Sequence, residues 1–246
     1  MIMKYTILAT VVALCTTEAK FLRHVREHRL LHPECDPTPN PSVQGQPIDI
    51  VFAIDLSESM CKKKDLAGET WLRQTKDAVT TFINKISTHS PSTSMIGMSG
   101  AAYVKNGEQV FNLLTRDLQA ASNFVVTGLG CHGYWDVKKG YSLKKALELF
   151  DASTRPDTET STKAIILITD QKAGSATCNP QGMGSDVFKE RGITIYTVGY
   201  GTDAEEGDVA LSVIANCGVS GGFFRRSTGA SANERIFDEI FRDITN

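Results

Sequence analysis

Asp55, Ser57 and Ser59 occupy alternate positions in the stretch Asp55-Leu56-Ser57-Glu58-Ser59. One carboxylate and two hydroxyls are hard oxygen donors, the type that Mg²⁺, Mn²⁺ or Ca²⁺ prefers. Their spacing lets all three side chains converge where a chain turns off a strand. A second aspartate, Asp170, follows the apolar run KAIILIT in the same way that Asp55 follows IDIVFAI. By itself the DxSxS pattern also reads as a helix cap, because Ser and Asp favour N-cap positions. Two aspartates at the ends of two buried strands favour a cation site instead, since ligands in open α/β sheets bind beyond the carboxyl ends of the strands.

The elements around these residues alternate. Continuous apolar runs at 48–54, 163–169 and 193–200 suit strands buried on both faces of a parallel sheet. Segments 95–102 and 109–114 read as two more strands, separated by the turn signal Lys105-Asn106-Gly107, so that pair is expected to be an antiparallel hairpin. Phe223-Phe224 suggests a short last strand. Helical spacing of apolar residues is found at 69–88, 117–126, 143–150, 185–191, 206–216 and 232–244. The rhythm predicts an α/β fold, a Rossmann-like, doubly wound, mostly parallel six-stranded sheet with one antiparallel edge strand. The turn after the first strand reads DLSESM and not GxGxxG, which argues against a dinucleotide-binding enzyme.

The stretches DIVFAIDLSESM, KAIILITD and ITIYTVGYG resemble the core of the von Willebrand factor type A domain, and the resemblance covers about residues 48–245. It implies a metal-ion-dependent adhesion site built from the DxSxS residues, a middle-loop threonine and an aspartate after the fourth strand. Asp55, Ser57, Ser59 and Asp170 match those positions. The threonine does not match: its place relative to Ala146-Leu147 is Tyr141. A variant pattern, with an acidic residue ten positions before Ala-Leu in a glycine-rich loop, points to Asp136 as the middle-loop ligand, with Ser142 as the fallback. A third carboxylate would satisfy more of the ion's charge and weaken its pull on a partner's carboxylate. The resemblance further implies a binding module, and catalysis is not expected, because no nucleophile–base–orienter set is visible in the sequence. A divalent cation (Mg²⁺, alternatively Mn²⁺ or Ca²⁺) would accept an Asp or Glu from an extracellular protein partner. The alternative is a structural matrix or coat component whose metal site is inactive.

Among 246 residues, 41% are hydrophobic and 22% charged, ordinary values for a globular domain with a sizeable core. A net charge of −2 offers no phosphate-tracking surface, so nucleic acid is not an expected partner. Lys4, an apolar run from Tyr5 to Cys15 and the small residue Ala19 have the three parts of a secretory signal peptide, too short to span a bilayer. The expected organisation is a leader at 1–19, a basic then Pro-rich extension at 20–47, and the domain at 48–246. Secretion favours disulfides. Five cysteines remain beyond the leader. Cys61, Cys131 and Cys178 follow strand ends on the metal face, whereas Cys35 and Cys217 belong at the opposite pole. The expected bridges are Cys35–Cys217 and one pair among the other three, taken as Cys61–Cys131. Cys131-His132 reads as a disulfide cysteine beside a loop histidine and not as a catalytic pair, since nucleophile and base normally meet across a fold. Tyr134 and Trp135 read equally as core anchors or ligand contacts. Lys62-Lys63-Lys64 reads as a solvated loop that, beside the site, would favour acidic partners.

Overall fold

The computed structural model describes residues 47–89, 94–101, 110–131, 139–153, 160–170, 186–201 and 205–246. Within them lie six strands, β1 (Ile48–Asp55), β2 (Met95–Ala101), β3 (Val110–Thr115), β4 (Thr162–Thr169), β5 (Ile193–Tyr200) and β6 (Phe224–Ser227). Seven helices accompany them: α1 (Glu58–Lys62), α2 (Trp71–His89), α3 (Leu118–Gly128), α4 (Lys139–Asp151), α5 (Val187–Glu190), α6 (Glu205–Ala215) and α7 (Ala230–Thr245). The strands form one sheet in the order β3-β2-β1-β4-β5-β6. Every pairing is parallel except β2 with β3, as the hairpin reading requires.

All eight residues of β1 are buried, because helices cover both faces of the sheet. Successive side chains of a strand point to opposite faces. Ile48, Ile50, Phe52 and Ile54 therefore enter one core layer with α2, α3 and α7, while Val51 and Ala53 enter the other with α4, α5 and α6. Ala164, Ile166 and Ile168 of β4 join the first layer, and Ile165 and Leu167 the second. In α2, Val79, Phe82, Ile83 and Ile86 recur at the three- and four-residue spacing that builds one helix face. Phe82 sits at the centre of that layer, edge-on to Phe52 at 5.7 Å and to Phe237 at 5.9 Å between ring centroids. Such aromatic pairs add about 0.5–1.5 kcal/mol beyond the area they bury.

Local chemistry marks the element ends. Asp117 caps α3 by accepting the Ala120 N–H at 2.9 Å. α5 stops at Gly192, whose φ of 66° lies in the left-handed region that glycine enters without a Cβ penalty. β6 runs further than Phe223-Phe224 suggested. Arg225 and Arg226 continue it as an edge strand, with Arg225 stacked on the Phe223 ring and paired to Glu239 of α7. Charged side chains of this kind blunt an edge against pairing with other chains. α4 starts at Lys139, four residues before the expected Leu143.

Candidate metal centre

The strand order changes direction between β1 and β4, and the crevice at such a switch point is where doubly wound folds bind ligands. The register pairs Ile54 with Ile168, so the next residues, Asp55 and Thr169, leave the sheet side by side. Thr169 donates its hydroxyl hydrogen to Asp55 Oδ2 at 2.6 Å. The Ser57 N–H donates to Asp55 Oδ1 at 2.8 Å, which folds the chain back over the strand end.

Ser57 then stands at the N-cap position of α1, but its side chain makes no capping bond. Its Oγ instead lies 2.8 Å from Ser59 Oγ, and Ser59 donates to Asp170 Oδ1, also at 2.8 Å. The hydroxyls thus face the second aspartate and not the helix terminus, which disposes of the cap reading. Four of the five side chains named from the sequence, Asp55, Ser57, Ser59 and Asp170, are brought together and buried. Two further residues join them: Thr169, which sequence reasoning did not place, and Lys63, from the lysine run expected beside the site but not singled out there, whose Nζ lies 3.3 Å from Asp170 Oδ2. Asp136 lies outside the described residues. Ser142 is buried in the first turn of α4.

Burial raises the Asp55 carboxyl from its ordinary value of 3.8 to about 6, because a charged oxygen in a low-dielectric site has lost its water. The hydrogen bonds from Thr169 and Ser57 pull it back down, and the neighbouring negative charge of Asp170 adds a smaller upward push. Asp170 Oδ2 is the unusual atom. It is buried with no hydrogen-bond partner, and the Lys63 ammonium meets it at ion-pair distance without hydrogen-bond geometry. A buried carboxylate oxygen left this way is costly. Two carboxylates and two hydroxyls converging around such an oxygen form a donor set that suits a hard divalent cation. Among the described residues no third carboxylate, histidine or cysteine joins the group.

The walls of the site are tied down. Cys61 in α1 is joined by a disulfide to Cys131, which follows α3, closing a loop with a sequence separation of 70. Cys217 is also disulfide-bonded, whereas Cys35 lies outside the described residues. From Lys64 to Thr70 the chain forms a small hairpin, closed by an antiparallel bridge between those residues. Asp65 Oδ1 accepts the N–H groups of Ala67 at 2.9 Å and Glu69 at 3.0 Å inside it. The hairpin presents Leu66 fully exposed.

The doubly wound sandwich, with a hydroxyl–carboxylate cluster at its switch point, places the chain in a class of α/β domain. The von Willebrand factor type A domain family is matched over residues 49–239, and the chain belongs to that family. It is 26% identical over 223 residues to the collagen alpha-1(VI) chain of Xenopus laevis, which covers 87% of this chain and 20% of that one. The chain therefore spans about a fifth of that relative. Among solved structures it resembles the pilus adhesin SpaC of Lactobacillus rhamnosus GG, with a TM-score of 0.60 and 17% identity over 81% of this chain and 31% of that one. It also resembles proximal thread matrix protein 1 of the mussel byssus, with a TM-score of 0.61 and 16% identity over 82% of this chain and 47% of that one. Identities this low speak for the fold alone.

Proposed function

We propose that this protein is a secreted adhesion module that grips an acidic side chain of an extracellular protein through a divalent cation. Asp55, Ser57, Ser59 and Asp170 would hold the ion, with Asp136, or Ser142 in its stead, as the middle-loop ligand. The single observation that carries this reading is the buried, unbonded Asp170 Oδ2 set beside two hydroxyls and a second carboxylate. When bound, the cation would supply a Lewis-acidic position for a partner's carboxylate. The chain's own residues do the rest: Thr169 and the Ser57 N–H orient Asp55, Ser59 orients Asp170, and all of these side chains are buried. The arrangement offers hard oxygen donors around one buried point, and binding is the reading that this supports. Secretion is supported by the leader-like N-terminus and the disulfide. Among the described residues no helix is long and apolar enough to cross a membrane.

Calorimetric titration with Mn²⁺ or Mg²⁺ tests the site. The wild-type protein should bind one ion, and Asp170→Asn, which keeps the acceptor for Ser59 but removes the charge, should weaken binding at least about tenfold. Equal affinity in the two proteins would overturn the proposal. Partner capture from native extracellular material should then be lost in EDTA and in the Asp170→Asn protein alike.

A second reading has its own support. Collagen VI and a byssal thread matrix protein are, by name, structural relatives, and five cysteines beyond the leader leave an odd one for intermolecular pairing. A matrix component of that kind would run as disulfide-linked multimers on non-reducing gels whether or not EDTA is present.

A further inference from the structure

Lys63 is held at its backbone from both sides. Its N–H donates to the Ser59 carbonyl at 2.8 Å, and its own carbonyl accepts the Trp71 N–H at 3.3 Å. The hairpin begins at the next residue, and the disulfide of Cys61 lies two residues back. The Cα is therefore fixed, and only the four-carbon stem can move. That stem runs inward: the side chain is 49% exposed, whereas the Asp170 side chain it reaches is 1% exposed. The adjacent Lys62 is engaged elsewhere, paired with Glu58 one helical turn away. The Asp170 oxygen that Lys63 meets is the one with no hydrogen bond, and so the one left open to a cation.

We infer that Lys63 is a tethered counter-ion that occupies the cation's place against Asp170 and must be displaced before a divalent metal can bind. The inference rests on the metal reading of the site given above. A buried carboxylate without a partner is strongly unfavourable, so a charge held within reach will be drawn to it. Attachment to a fixed Cα gives the ammonium a high effective concentration at the site. A single positive charge that keeps one flank in water makes a weaker partner than a divalent ion, so it yields to metal at a cost in metal affinity. Once displaced, the ammonium stands at the rim of the site, where an acidic partner would arrive.

The test is titration of the full chain with Mn²⁺ alone, together with thermal melts in EDTA. Lys63→Met should bind Mn²⁺ roughly two- to fivefold more tightly than the wild-type protein, the range expected for losing one half-exposed ion pair. It should also melt lower than the wild-type protein in EDTA, and the difference should vanish in saturating Mn²⁺. Lys63→Arg retains a cation and should not bind more tightly than wild type. Lys64→Met removes the same charge from the next residue and serves as the control for long-range field: its affinity should rise by less than twofold. The inference is overturned if Lys63→Met binds Mn²⁺ no more tightly than wild type, or if Lys64→Met gains as much. Normal binding by the wild type with no gain in Lys63→Met sinks the lysine alone. Absence of binding in both proteins sinks the metal reading and this inference with it.

Discussion

Gly222→Ala will lower the melting temperature by roughly 6–12 °C, the shift that about 3 kcal/mol produces in a domain of this size. A Cβ built on Gly222 would lie 2.2 Å from the Ile195 carbonyl oxygen and 3.0 Å from that of Ala215. Both are backbone atoms, so no side chain can swing aside to relieve the overlap. Gly218 faces the same strand, with the Ile193 oxygen 2.6 Å from its would-be Cβ. These two glycines let the segment after α6 lie along β5, where the Val219 N–H donates to the Ile193 carbonyl at 2.9 Å and the Thr197 N–H to that of Phe223 at 3.0 Å. Alanine would lift the segment off β5 and take the start of β6 with it. Gly130 is the control, because nothing lies within 4 Å of its would-be Cβ, and its alanine variant should melt within about 2 °C of wild type, the shift from about 0.5 kcal/mol. Melting followed by circular dichroism decides the matter, and equal temperatures for Gly222→Ala and Gly130→Ala would contradict this close approach.

That contact also marks where sequence reading stops. β1, β4 and β5 were legible because burial on both faces demands unbroken apolar runs, and few other elements of seven or eight residues have that composition. The edge was harder. β6 carries Arg225 and Arg226 because one of its flanks is unpaired, so its polar residues hide the strand rather than announce it. α1 is a single turn of five residues whose formation depends on the Ser57 turn and the Cys61 bridge, not on any periodic pattern.

The site divides in the same manner. Asp55, Ser57, Ser59 and Asp170 could be named because donor type and strand-end position are both visible in one dimension. Thr169 could not, since a threonine at a strand's end reads as ordinary β-branched filler. Its role appears only when the register of β4 against β1 sets it beside Asp55. Lys63 belonged to a run of three lysines that reads as solvated loop, and only the turn of α1 selects the one that reaches Asp170. Spacing along the chain says which residues share an element. Which residues meet across elements depends on offsets between strands and on loop closure, and those are tertiary facts.

The same tertiary placement carries a cost that melting can measure. In EDTA near pH 7.5, Asp55→Asn should melt higher than the wild-type protein, and it should fail to bind divalent cations. The asparagine carbonyl can still accept from the Ser57 N–H, and its amide can donate to the Thr169 hydroxyl oxygen, so the local bonds survive while the buried charge disappears. The size follows from linkage. Burial raises the Asp55 carboxyl from 3.8 to about 6, so between those values the folded protein holds a proton that the unfolded chain releases. Stability from this group therefore falls as pH rises through about 4 to 6, by up to on the order of 3 kcal/mol, and stays at its lowest above that window. Metal reverses the balance because a cation requires the ionised form, so affinity should drop as pH falls below about 6, at most about tenfold per unit. Melts of both proteins in EDTA at pH 5 and 7.5 isolate the group: the wild-type protein should lose stability toward pH 7.5 relative to Asp55→Asn. Parallel behaviour of the two would mean that Asp55 bears no burial cost, and the case for a carboxylate strained in readiness for a cation would go with it.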